Sequence, residues 1–238
     1  MSRSAGTWLS WLRERRHSAL LVAIIMMALV QPSLVHWSVR TRVLGDLVLA
    51  AVAVSVFLIV FEQRWQRFTA VVLAFTGFAA NLGYFYLGGG LQSAAVVLYH
   101  CSAVAFFGFA VAVILRGVFK REAIRADDII GAACGYLLAA IAWGNLYATM
   151  YVIAPASFHV PDSIAWQLGN WHTRRALFDY FSVVSLTGLG YGDVTPTSPP
   201  AYALVALEVV FGLFYLAVVV AQLVGLMMIT RSDKKKSS

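Results

Sequence analysis

Tyr180-Phe181-Ser182-Val183-Val184-Ser185-Leu186-Thr187-Gly188-Leu189-Gly190-Tyr191-Gly192-Asp193-Val194-Thr195-Pro196 decides how this chain is read. Its first half closes an apolar run, roughly Ala176–Thr187, that is too short to cross a bilayer, since a spanning helix needs about 20 apolar residues. Its second half alternates glycines with Leu189 and Tyr191. Glycine permits backbone conformations that turn successive carbonyls the same way. Irregular backbone at membrane depth survives only where it is buried in protein or lines a water-filled cavity. A short helix whose C-terminal end points inward adds partial negative charge there. Together these features describe a cation site built of carbonyl oxygens.

The surroundings put that site in a membrane. The 238 residues are 61% hydrophobic and 12% charged, with a mean hydropathy of +0.77, too little polar surface for a soluble domain. Six apolar blocks stand out: Ser18–Val35, Val43–Phe61, Phe68–Tyr86, Leu91–Leu115, Ile129–Ile153 and Tyr202–Thr230. With both termini cytoplasmic, inside segments hold 14 of the 18 Lys and Arg, densest at Arg116, Lys120, Arg121 and Arg125. Outside segments hold only Arg40, Arg42, Arg174 and Arg175. That asymmetry follows the positive-inside rule. The net charge of +7 thus sits at membrane edges, beside anionic lipid rather than nucleic acid. Trp8, Leu9, Trp11 and Leu12 among arginines suit an interfacial approach helix, or else a disordered basic leader. The expected fold class is an all-α membrane protein: six transmembrane helices plus a re-entrant helix and the glycine run. It divides into residues 1–17 (N-terminal segment), 18–125 (four spans), 126–231 (last two spans and the re-entrant part) and 232–238 (basic tail).

The stretch Ser185-Leu186-Thr187-Gly188-Leu189-Gly190-Tyr191-Gly192-Asp193 resembles the pore helix and selectivity filter of tetrameric potassium channels, whose pattern is T-x-T-T-V-G-Y-G-D. The resemblance covers about Ile129 to Thr230, in the order outer helix, turret, pore helix, filter, inner helix. It implies a homotetramer that conducts K⁺ passively through carbonyl rings replacing the ion's water shell, with no cofactor beyond the permeant ion. Ion binding would fall to Thr187, Gly188, Leu189, Gly190, Tyr191 and Gly192. Within that set Thr187 would anchor the pore helix end, and Gly192 would permit the final turn. Asp193 would brace the outer mouth and Gly212 would be a hinge. By family spacing Leu213, Leu216, Val220 and Val224 would line an apolar cavity able to close by dewetting. The filter departs from the pattern at its innermost position, where Gly188 replaces threonine and removes a hydroxyl. A non-selective cation channel is therefore a rival reading, and a non-conducting accessory protein another.

Other polar residues within the apolar blocks are Asp46, Asn81, His100, Asn145 and Glu208. An ionisable group in a span is a functional candidate. Glu208, four residues before Gly212, is placed to brace the filter near Thr187 or Ser185, or to serve packing alone. His100 suits a proton or ligand site, or a satisfied membrane histidine. His159 and His172 lie in the external segment, where histidine can confer pH sensitivity. Gly131 and Gly135 have small-xxx-small spacing for close helix packing. Cys101 and Cys134 read as buried free thiols. The fourth block carries no arginine, which excludes a voltage sensor of the usual kind. An intramembrane serine protease needs a serine with a histidine on a facing span, and the last block has no histidine. Haem between helices would want paired membrane histidines, and only His100 is deep. Short loops and a compact tail point to a prokaryotic plasma membrane.

Overall fold

The computed structural model describes residues 17, 18, 20–26, 52, 54–57, 59–120 and 126–236. The approach helix around Trp8, the polar Asp46, and Arg121 and Arg125 lie outside the described residues. The described parts of the first two apolar blocks, including residues 20–26 and 54–57, are helical up to Val60.

The later blocks are long helices: α1 (Arg64–Tyr86), α2 (Gly89–Phe119) and α3 (Ala126–Ile153). Three described helices are long and apolar enough to cross a membrane, over Gly89–Phe119, Asp127–Ile153 and Pro199–Gln222. A connecting segment follows α3, with a 3-10 turn at Pro155–Ser157, strand β1 (Phe158–His159), short helix α4 (Asp162–Ala165) and a second 3-10 turn at Trp166–Gly169. Then come α5 (Trp171–Leu186), the glycine run, strand β2 (Thr195–Pro196) and α6 (Pro199–Lys236).

One expectation is corrected here. The short apolar run begins five residues earlier than expected, at Trp171, giving a 16-residue helix. Its first turns carry Arg174 and Arg175, which interrupt the apolar pattern without interrupting the helix. Thr173 ties the first turn to the segment before it, its hydroxyl bonded to the Asn170 carbonyl at 2.8 Å and also to that of Gln167. Helix α6 runs on through residue 236, into the basic tail. One small strand pair accompanies the helices. β1 and β2 pair antiparallel, Phe158 with Pro196 and His159 with Thr195.

The chain divides into two compact units. Unit 1 comprises Met1–Glu62, Ala110–Tyr136 and Leu216–Ser238. There His17 Nδ1 lies 2.6 Å from Asp127 Oδ2. A Cβ at Gly131 would stand 3.3 Å from the His17 ring, a close packing contact at that glycine of α3. Unit 2 comprises Gln63–Phe109 and Leu137–Tyr215. Its α1 and α2 come close at Gly77, where a Cβ would be 2.7 Å from Ser102 Oγ. Its core is aromatic: Tyr147, Phe158, Phe178 and Phe181 are buried together with Leu177 and Val194. Ring centroids lie 5.1 Å apart for Tyr147–Phe181 and for Phe158–Phe178. Such edge-on pairs add about 0.5–1.5 kcal/mol each beyond their buried area. This cluster fixes α5 against α3 and β1.

Candidate functional site: a glycine-rich loop at the end of a short helix

The loop begins where α5 ends. The Leu189 N–H donates to the Val184 carbonyl at 3.0 Å, and the Gly188 N–H donates to that of Ser185 at 3.0 Å. With Gly188 at φ +72°, this is the Schellman pattern, in which a left-handed residue just past the helix satisfies its last carbonyls. Thr187 anchors the same end, its Oγ1 donating to the Val183 carbonyl at 2.7 Å and the Val184 carbonyl at 3.3 Å. Gly190 (φ +59°) and Gly192 (φ +77°) are also left-handed, and no non-glycine residue among those described has a positive φ. Left-handed glycines therefore alternate with Leu189 and Tyr191. Alternating hand along a chain turns consecutive carbonyls toward one side, an arrangement suited to a cation.

Asp193 closes the outer end of the loop. Its Oδ2 accepts from the Tyr180 hydroxyl at 2.7 Å and its Oδ1 from the Val194 N–H at 2.9 Å. The β1–β2 pairing begins two residues later, and the Thr197 N–H donates to the Ser157 carbonyl at 2.9 Å. Both ends of the loop are thus fastened, one to the end of α5 and one to its side. The loop itself is open in a single chain: Leu189 is 57% exposed and Tyr191 66%.

Glu208 is fully buried and reaches the back of α5, but at a different height from the one expected. Its partners are Ser182 and Tyr147, not Thr187 or Ser185. The Tyr147 hydroxyl donates to Glu208 Oε2 at 2.6 Å. Ser182 Oγ is hydrogen-bonded to Glu208 Oε1 and also lies 2.8 Å from the Ala140 carbonyl oxygen. One buried carboxyl therefore joins α3, α5 and α6. Ser185 falls one turn short of it because Ser182 occupies the face of α5 turned to both neighbouring helices.

Gly212 is a contact point within an unbroken helix. A Cβ there would stand 2.2 Å from the Leu186 carbonyl oxygen, so only glycine lets α6 lie against the end of α5. Leu213, Leu216, Val220 and Val224 are 60%, 45%, 52% and 45% exposed. Leu207, Phe214 and Val218 on the same helix are comparably exposed. Exposure in one chain therefore does not single out the expected cavity face.

His100 is buried, its Nδ1 2.8 Å from Asn145 Oδ1, and Asn145 Nδ2 donates to the Ile141 carbonyl at 2.8 Å. The pair links α2 to α3 and fits the satisfied-histidine reading. His159 belongs to β1 and is exposed.

Sequence reasoning missed four residues that hold the loop's support in place: Ser182, Tyr147, Gly144 and Arg175. A Cβ at Gly144 would be 2.4 Å from Asp179 Oδ1 and 2.8 Å from the Asp179 Cα, which makes glycine the condition for α3 to meet α5. The one available signal was the two polar positions, Asp179 and Ser182, three apart inside an apolar run. Arg175, counted above as an external charge, is 2% exposed.

Residues 136–228 match the family described as "Ion channel". No curated protein and no solved structure matches the chain. The matched segment contains α5, the glycine loop, and most of α3 and of α6.

Proposed function

We propose that the ion channel domain at residues 136–228 makes this chain the subunit of a potassium-selective channel, four copies of which enclose one conduction path. The observation that carries the reading is the alternation of left-handed Gly188, Gly190 and Gly192 with Leu189 and Tyr191, directly after a helix whose C-terminal end is capped. Carbonyls turned to one side can replace the water around a dehydrated cation only when several chains present them to a common axis. The exposure of Leu189, Tyr191 and the apolar residues of α6 supports the same assembly, since a lone chain leaves them uncovered. On this reading the six apolar blocks are spans with both termini in the cytoplasm of a prokaryotic cell. Thr187 to Gly192 bind K⁺, Asp193 braces the mouth, and Glu208 supports the pore helix. The hinge and the cavity wall fall to Gly212, Leu213, Leu216, Val220 and Val224.

A second reading keeps the pore and gives up selectivity. Gly188 supports it, because the innermost position has a carbonyl but no hydroxyl to complete its coordination. Ion flux from liposomes holding the purified protein separates the two, with Tyr191→Ala as the control. Flux driven by a K⁺ gradient and not by Na⁺, abolished by the substitution, is the expected result. Equal flux of both ions would establish the non-selective channel. Silence under both gradients would overturn the conduction reading.

A further inference from the structure

Arg174 and Arg175 are neighbours with unrelated surroundings. Arg174 donates from Nε to the Leu168 carbonyl at 3.3 Å and lies over the Tyr151 ring at 5.4 Å, tying down the connecting segment. Arg175 turns the other way and is the largest fully buried side chain among the described residues. Its Nη1 donates to the Tyr99 hydroxyl on α2 at 3.1 Å, and its Nε stands 3.8 Å from Asp179 Oδ2 one turn along α5. Both Asp179 oxygens are buried without a hydrogen-bond partner, so Arg175 is the opposite charge they face. Tyr99 is itself held by the Trp171 ring at the start of α5, with centroids 5.2 Å apart, and Tyr84 of α1 packs on that ring at 5.7 Å.

The geometry points to Tyr99 as a positioning residue for the filter, acting from α2 through the Arg175–Asp179 pair on the pore helix. This inference rests on the channel reading above. A charge so far from water must keep its partners, so wherever α2 carries Tyr99, Arg175 is drawn along. A 16-residue helix is about 24 Å long and rigid over that length. A tilt imposed in its first turns therefore reaches its far end at Leu186 and Thr187. The outer mouth receives the same tilt by a shorter route, because Tyr180, next to Asp179, holds Asp193 at 2.7 Å. The α2 helix, which carries no sensor arginines, is by this account a lever on the filter rather than a peripheral scaffold.

Tyr99→Phe tests the idea, because it removes one oxygen and leaves the ring stacking intact. The assembled protein in liposomes is compared with wild type for the K⁺-to-Na⁺ permeability ratio and K⁺ flux, and its thermal unfolding is followed in parallel. Arg175→Lys, which keeps the charge and loses the two-point grip, is measured beside it. The expected outcome is a several-fold change in flux or permeability ratio in both variants, with assembly and unfolding temperature near those of wild type. A ratio and flux equal to wild type in both variants would overturn the proposal and leave the channel reading standing. Loss of flux only in step with loss of assembly would also overturn it, since Tyr99 would then be a packing residue. A silent wild type would sink both readings together, an outcome distinct from the other two.

Discussion

Gly188 has a structural reason to be glycine that its place in the filter pattern does not disclose. At φ +72° it ends α5, and a β-branched residue there would meet the steric cost of the left-handed region, about 1–2 kcal/mol. Gly188→Thr restores the hydroxyl of the usual pattern and simultaneously strains the cap. The expected result is a lower unfolding temperature, read by thermal denaturation in detergent. If K⁺ preference rises in the same variant, the missing hydroxyl is what limits selectivity; an unchanged permeability ratio would show that it is not. Glu208 permits a second prediction by proton counting. The Ser182 hydroxyl has one hydrogen and two neighbouring oxygens, those of Ala140 and Glu208. Every contact closes only if the group at 208 donates to Ser182 while Ser182 donates to Ala140 and Tyr147 donates to the other oxygen. Glu208→Gln supplies that pattern, with an amide N–H for Ser182 and an amide oxygen for Tyr147, and should keep stability and flux near wild type. Glu208→Ala leaves a buried hydroxyl without its acceptor and should lose about 1–3 kcal/mol. Equal stability of the two variants would show that the hydrogen bonds contribute nothing.

Helices pack here by means of missing side chains. Gly144 lets α3 meet α5 at Asp179, and Gly212 lets α6 meet the end of α5 at Leu186. At Gly212 the obstacle is backbone, so an added methyl cannot be relieved by a rotamer change. Gly212→Ala should push α6 from α5, cost about 1–3 kcal/mol as overpacking does, and reduce K⁺ flux. Full flux from this variant would mean that the contact at Leu186 is dispensable. Sequence and structure agree that the later apolar blocks are long helices, because apolar run length is a local signal. The start of α5 escaped notice because its first turns hold two arginines, and burial of Arg175 depends on Tyr99, 76 residues away. Partners of Glu208 were misplaced by one turn for a related reason. Its height on α6 was legible, but which face of α5 it meets is set by the clearance at Gly212 and Gly144. The alternating glycines were legible in full, since their conformational freedom is written in the residue type itself.

At the scale of the whole molecule, the ion is part of the proposed assembly. Carbonyls turned to one side repel one another unless a cation lies among them. Replacing K⁺ by a large organic cation should therefore lower the unfolding temperature of the assembled protein and return it when K⁺ is added. A ligand that binds only the folded state stabilises by about 2.7 kcal/mol at a hundred times its dissociation constant. An unfolding temperature indifferent to K⁺ would argue against a preformed ion site. The β1–β2 pairing, small as it is, has a wider consequence. By joining Phe158 to Pro196 and His159 to Thr195, it lays the two ends of the intervening segment side by side. The short helix and the glycine loop thereby become one closed excursion that leaves and rejoins the chain at a single latch. An insertion beside the exposed Asp162 enlarges that excursion at the small cost of a longer loop, whereas residues 167–170 have to stay, because Thr173 and Arg174 hold their carbonyls.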